Sequence, residues 1–148
     1  MNHRPLAACA GTLLLGLLAS AAHAQKLTLK VDAVANCFNA SVGPNGDGAQ
    51  HSAAFLHLAA GSYSVKQKSS SADLCGQTDG TCLQPSVSLT LNGLGQTMEP
   101  YVIKPSHKVS LNLPASVTAL AYVMDTDCED NTGLTTLEFV LVPPPALD

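Results

Sequence analysis

Lys26-Leu27-Thr28-Leu29-Lys30-Val31-Asp32-Ala33 alternates residue by residue, with Leu27, Leu29, Val31 and Ala33 on one side and Lys26, Thr28, Lys30 and Asp32 on the other. Successive side chains of an extended chain point to opposite faces, so this period of two predicts a strand with one face on a core. The pattern returns in 86–91, where Val87, Leu89 and Leu91 share a face, and again in 108–113. It is weaker in 62–66. Two later stretches, 119–124 and 137–142, are apolar on both faces, which predicts central strands covered on each side. Between the runs lie Gly43-Pro44-Asn45-Gly46-Asp47-Gly48, Asn92-Gly93 and Pro114, all turn chemistry. The polar, Ser-rich segment 67–80 reads as an exposed loop. After residue 24 no apolar repeat of 3.6 positions reaches helix length. The expected fold is all-β, an antiparallel β-sandwich of about eight strands.

The first 24 residues follow a different rule. Arg4 precedes an apolar run centred on Leu13-Leu14-Leu15 and Leu17-Leu18, which ends in Ala22-His23-Ala24. A charged start, an apolar middle and a small-x-small ending describe a signal peptide cut after Ala24. Leu6-Ala7-Ala8-Cys9 looks like an acylation box, but it precedes the apolar run instead of following it, so a lipid anchor is not expected. Residues 25–148 then form one domain, periplasmic or secreted. No second apolar run approaches the roughly 18 residues that a membrane span requires.

Export changes how the cysteines read. Cys37, Cys75, Cys82 and Cys128 remain after cleavage. An even number in an oxidising compartment predicts two disulfides. Cys75 and Cys82 enclose a short loop, which favours a local pair and leaves Cys37 with Cys128. Zinc is the rival reading, disfavoured because no two cysteines stand three apart.

Charge excludes some partners. Residues 25–148 hold six lysines, no arginine, no tryptophan and all eleven acids. With no basic stripe in the sequence, nucleic acid is not an expected partner. Four of the acids crowd into Asp125–Asp130. An apolar strand there runs into Asp125, Asp127, Glu129, Asp130 and Asn131, and Gly133 turns the chain toward the last strand. Calcium takes six to eight oxygen ligands from carboxylates, amides and carbonyls, and a loop this dense in acid repels itself without a cation. It is not an EF-hand, because the sixth and twelfth positions from Asp125 are Asp130 and Thr136, not Gly and Glu. The alternative is a solvated acidic hairpin pinned by Cys128.

From Ala59 onward the chain resembles the PA-I-type calcium-dependent, galactose-binding bacterial lectins. The parallel features are Ala59-Ala60-Gly61 after a strand, a loop with two nearby cysteines, the run Ser88-Leu89-Thr90-Leu91-Asn92-Gly93, and an apolar strand ending in Asp125 before a loop that closes on Asn131-Thr132-Gly133. The resemblance implies a jelly-roll carbohydrate-binding domain whose calcium is held by Asp125, Asp130 and Asn131 with backbone carbonyls. The acid density of the loop adds Asp127 or Glu129 as further ligands. The sequence departs from the family where Asp130-Asn131 replaces an adjacent asparagine pair. Its loop is also shorter, and the family's His- and Gln-bearing sugar loop has no clear counterpart.

Sugar rings stack on flat apolar faces, yet residues 25–148 hold only Phe38, Phe55, Tyr63, Tyr101, Tyr122 and Phe139 as aromatics. Tyr122 reads as core, Tyr63 and Tyr101 as able to reach a surface. His51, Phe55 and His57 share one face if 50–58 is a strand. For catalysis there is no Gly-x-Ser-x-Gly elbow, His-Glu-x-x-His motif or phosphate-binding loop, and Glu99 and Glu138 make a poor glycosidase pair. The sequence therefore predicts no enzyme. Two readings stand: an exported calcium-dependent module binding a carbohydrate or glycoconjugate, and a disulfide-stapled structural or envelope-interaction protein without a small ligand.

Overall fold

The computed structural model describes residues 25–39, 52–75, 86–93 and 99–144. The segments read as a signal peptide and as a Gly43–Gly48 turn, together with His51 and Cys82, lie outside the described residues. Nine strands and no helix occur among those described: β1 (Lys26–Asp32), β2 (Cys37–Asn39), β3 (Ala54–Leu58), β4 (Gly61–Ser70), β5 (Val87–Asn92), β6 (Tyr101–Ile103), β7 (Lys108–Leu113), β8 (Val117–Asp125) and β9 (Leu134–Val142).

They form two sheets. The first, in the order β1-β9-β4-β7, is antiparallel throughout. The second runs β2-β8-β5-β6, and β3 also pairs with β8. One pairing departs from the antiparallel expectation, since β2 lies parallel to β8 with Cys37 opposite Val123 and Asn39 opposite Asp125. β9 and β8 are internal strands of their sheets, as their apolar runs predict, and β4 and β5 are internal as well.

Both sheets feed one buried cluster. Leu29, Val31, Tyr63, Val65, Leu111, Leu137 and Phe139 from the first sheet join Cys37, Leu58, Leu89, Ile103, Ala119 and Val123 from the second. Each alternating run buries its predicted apolar face: Val87, Leu89 and Leu91 on β5, for instance, lie inward while Ser88 and Thr90 do not. Burying one such side chain contributes about 1.5–3 kcal/mol, so the cluster is the main source of stability.

Three expectations need correction. Segment 67–80 is not all loop, because β4 continues to Ser70. A register shift between Gln67 and Ser69 makes Lys68 an extra residue, a β-bulge. Pairing then resumes, helped by Ser70 Oγ and Thr135 Oγ1 at 2.7 Å. Secondly, neither β8 nor β9 is covered on both sides. On β8 the outward Leu120 and Tyr122 are half-buried and Met124 is 48% exposed, and on β9 the outward Val140 is half-buried and Val142 is 48% exposed. Thirdly, the tyrosines exchange places. Tyr63 is core, donating its hydroxyl to Ala59 O at 3.2 Å, whereas Tyr122 lies on the outward side of β8, edge-on to Phe38 with ring centroids 5.0 Å apart.

The Cys37–Cys128 disulfide is formed, spanning a sequence separation of 91. By chain entropy alone a loop of that length contributes about 4.6 kcal/mol. The expected Cys75–Cys82 pair ends outside the described residues, so one disulfide is seen in full where two were predicted; Cys75 is itself oxidised.

Candidate functional site

The β8–β9 connection is built by four ties. Asp125 closes β8 opposite Asn39, whose Nδ2 donates to Thr126 O at 2.7 Å. Cys128 is buried and bonded to Cys37, which fastens the loop to β2. Asn131 Nδ2 donates to Ala33 O at 3.1 Å and to Cys37 Sγ at 3.4 Å. Thr132 and Asp73 then exchange two backbone hydrogen bonds of 2.9 Å. Gly133 follows at φ 83°, where a side chain would collide with the carbonyl of Ser71. Only glycine fits that turn without strain.

Within this frame the predicted ligands divide. Asp127 and Glu129 are exposed, and Asp127 Oδ1 accepts the Glu129 amide at 3.1 Å, a local turn of the kind Asp favours. Asp130 is exposed as well. Asp125 and Asn131 are different. Asp125 Oδ1 accepts the Thr126 amide at 2.6 Å, but its Oδ2 is buried without a hydrogen-bond partner. Asn131 is 2% exposed, and its Oδ1 is also buried and unpartnered. Buried acceptors are nearly always satisfied, and leaving one unmade costs about 1–3 kcal/mol. Two orphaned oxygens among three predicted principal ligands therefore mark this loop.

The sequence missed one acid. Asp73 sits in a segment read as loop, and only its bridge to Thr132 brings it here. Partial desolvation, then the charges of Asp127 and Asp125, and to a smaller degree Asp73, hold the Asp130 carboxyl above the ordinary range. No ion pair among the described residues offsets these acids; the one formed joins Lys66 to Glu138. Among the described residues, no three His, Cys, Asp or Glu side chains converge on a point where an ion would sit. A calcium site here would draw on Asp125, Asn131 and backbone carbonyls, donors that calcium accepts.

No protein-family model, curated protein or solved structure matches this chain.

The remaining candidates are placed as follows. His57 is exposed on β3, its ring 5.8 Å from that of Phe55 and its Nδ1 3.0 Å from Thr118 Oγ1. Phe55, Leu120, Tyr122, Phe38, Met124 and Val102 come together on the outward face of the β8 sheet, because register sets Phe55 beside Leu120 and Phe38 beside Met124. Phe55 is 63% exposed. Glu138 lies outward on β9, 3.2 Å from Lys66 Nζ. Glu99 is exposed before Pro100. Among the described residues, no helix is long and apolar enough to cross a membrane.

Proposed function

We propose that this chain is an exported calcium-binding module of the β-sandwich, jelly-roll kind, and that the calcium serves recognition of a carbohydrate. The observation that carries the reading is the pair of buried, unpartnered oxygens on Asp125 and Asn131. A hard cation bound in this loop supplies a partner to such an oxygen and relieves the repulsion around Asp130. Asp127, Glu129 and Asp130 are the accessible groups beside it, available as further ligands or as acceptors for sugar hydroxyls. The sugar half draws support from the β8 sheet, where Phe38, Phe55 and Tyr122 stand outward beside Ser88 and Thr90. An apolar ring face next to hydroxyls suits a pyranose.

One observation favours the second reading, a structural protein without a small ligand. The Asn131 amide nitrogen ties the loop to Ala33 and to the disulfide sulfur of Cys37, which is a scaffold role complete in itself. Calorimetric titration of calcium separates the two. The module binds calcium, and Asp125→Asn weakens the affinity, since it removes a charge while keeping the shape of the side chain. A glycan array probed with calcium, then with chelator, tests the carbohydrate. Absence of calcium heat in the folded protein selects the structural reading.

A further inference from the structure

The lysines tell a second story, independent of the calcium reading. The six lysines of residues 25–148 are scattered in the sequence as three widely spaced pairs. The fold gathers them. Lys26 and Lys30 point outward from β1, Lys66 from β4 and Lys108 from β7, because the residues alternating with them are inward and wholly or partly buried. Lys68 is the bulge residue of β4, and Lys104 begins the turn into β7.

Register makes a row of this. Thr28, Glu138, Lys66 and Lys108 stand side by side across β1, β9, β4 and β7. Strands lie about 4.8 Å apart, so neighbours in such a row are in contact range. Lys66 and Lys108 face each other directly, and like charges so placed destabilise a sheet. Among the described residues two acids share the face. Glu138 is held by Lys66, and Lys26 and Lys68 add to the pull that keeps its carboxyl below the ordinary range. Asp32, at the end of β1, accepts the amides of Val34 and Ala35 with Oδ1. The face therefore has a surplus of ammonium groups, while the rest of the chain is acidic.

Between the lysines stand hydroxyls, among them Thr28, Ser64, Ser110 and Thr136. At the rim, an open polar cleft between the β4 bulge and the β6–β7 turn is lined by Lys68, Ser69, Ser70 and Ser106. Among the described residues no aromatic side chain faces outward on this sheet, so it offers no platform for stacking nucleic-acid bases. Its outward apolar residues, Leu134, Val140 and Val142, are spread along β9 and form no wedge for a bilayer.

We propose that the outer face of the β1-β9-β4-β7 sheet binds a linear anionic polysaccharide, whose acid groups meet the lysines and whose hydroxyls meet the intervening serines and threonines. The test is retention of the full-length protein on immobilised heparin and on polygalacturonate, a sulfated and a carboxylated probe, with neutral dextran as control and chelator present throughout. Binding to at least one charged polymer is expected, and it weakens as salt shortens the screening length from about 10 Å at 0.1 M to about 3 Å at 1 M. Combined Lys30→Gln, Lys68→Gln and Lys108→Gln substitution, all at exposed positions, reduces affinity about tenfold, while the matching Lys→Arg variant retains it. Unchanged thermal unfolding of the Gln variant shows that the fold is intact. Failure to bind either charged polymer at low salt overturns the proposal, as does equal binding by the intact Gln variant. Equally tight binding to phosphatidylglycerol vesicles or single-stranded DNA overturns the assignment to a polysaccharide.

Discussion

The two sheets turn the same kinds of residue inward and different mixtures outward. Inside, Leu, Val, Ala and Phe from both meet in one cluster. Outside, the β9 sheet carries lysines and hydroxyls, and the β8 sheet carries Phe55, Leu120, Tyr122 and Met124. Alternation explains the inner faces, because any period-two run produces them. It says nothing about what an outer face becomes, since that depends on which distant strands are paired and in what register. The chemistry of a β-protein surface is written in the pairing.

The largest effect that tests this contrast is in the core. Phe139→Ala, at a fully buried position of β9, is expected to cost about 3–5 kcal/mol in urea unfolding. Phe55→Ala, on the outer face of the other sheet, changes stability by no more than about 0.5 kcal/mol. Similar losses at both positions would break the division into inner and outer faces. Next in size is the disulfide. Replacing Cys37 and Cys128 together by Ala lowers stability by about 2–5 kcal/mol and exposes the β8–β9 loop to protease sooner than the lysine face.

Asn131→Ala sharpens the comparison further, because it removes the buried amide that joins the acidic loop to β2. A loss of about 1–3 kcal/mol is expected even with chelator present. No loss would mean that the hydrogen bonds to Ala33 and Cys37 carry little.

The smallest effect is in pH, and its sign differs between the two regions. Glu138 on the lysine face has its carboxyl lowered in the fold by Lys66 first. Its contribution is present above the ordinary glutamate pKa of 4.5 and is lost as pH falls through the lower folded value. Asp130 in the acidic loop is raised in the fold, by desolvation and then by Asp127 and Asp125. Its contribution is greatest below the ordinary aspartate pKa of 3.8 and declines as pH rises through the higher folded value. Thermal unfolding between pH 3 and pH 6 is expected to show Glu138→Gln and Asp130→Asn bending the profile in opposite senses.

Much of the fold is legible in the sequence. The alternation in 26–32, 87–91 and 108–113 marks three strands and their buried faces, and the apolar runs mark two of the four internal strands. The parallel pairing of β2 is not legible, because three residues around Cys37 carry no period. The bulge at Lys68 escapes too, since it interrupts the alternation of β4 and makes a strand read as loop. At the candidate site, Asp125 to Asn131 stand out by acid density alone, but density does not separate exposed Asp127 from buried Asn131. Asp73 is invisible until its bridge to Thr132 is known. The lysine face is equally hidden, because its members share no segment. Tyr122 misleads for a related reason: an apolar run suggests cover on both sides, whereas Tyr122 stands half-buried on the outward side of β8, edge-on to Phe38.

The measurement that bears most directly on the proposed calcium site is thermal unfolding of residues 25–148 with calcium and with excess chelator, for the native chain and for Asp125→Asn. At a hundredfold excess over its dissociation constant the ion adds about 2.7 kcal/mol, so the native midpoint rises by several degrees, and the Asp125→Asn midpoint rises less or not at all. Identical midpoints in calcium and chelator for the native chain would contradict the account and leave the acidic loop as a solvated turn held by its disulfide.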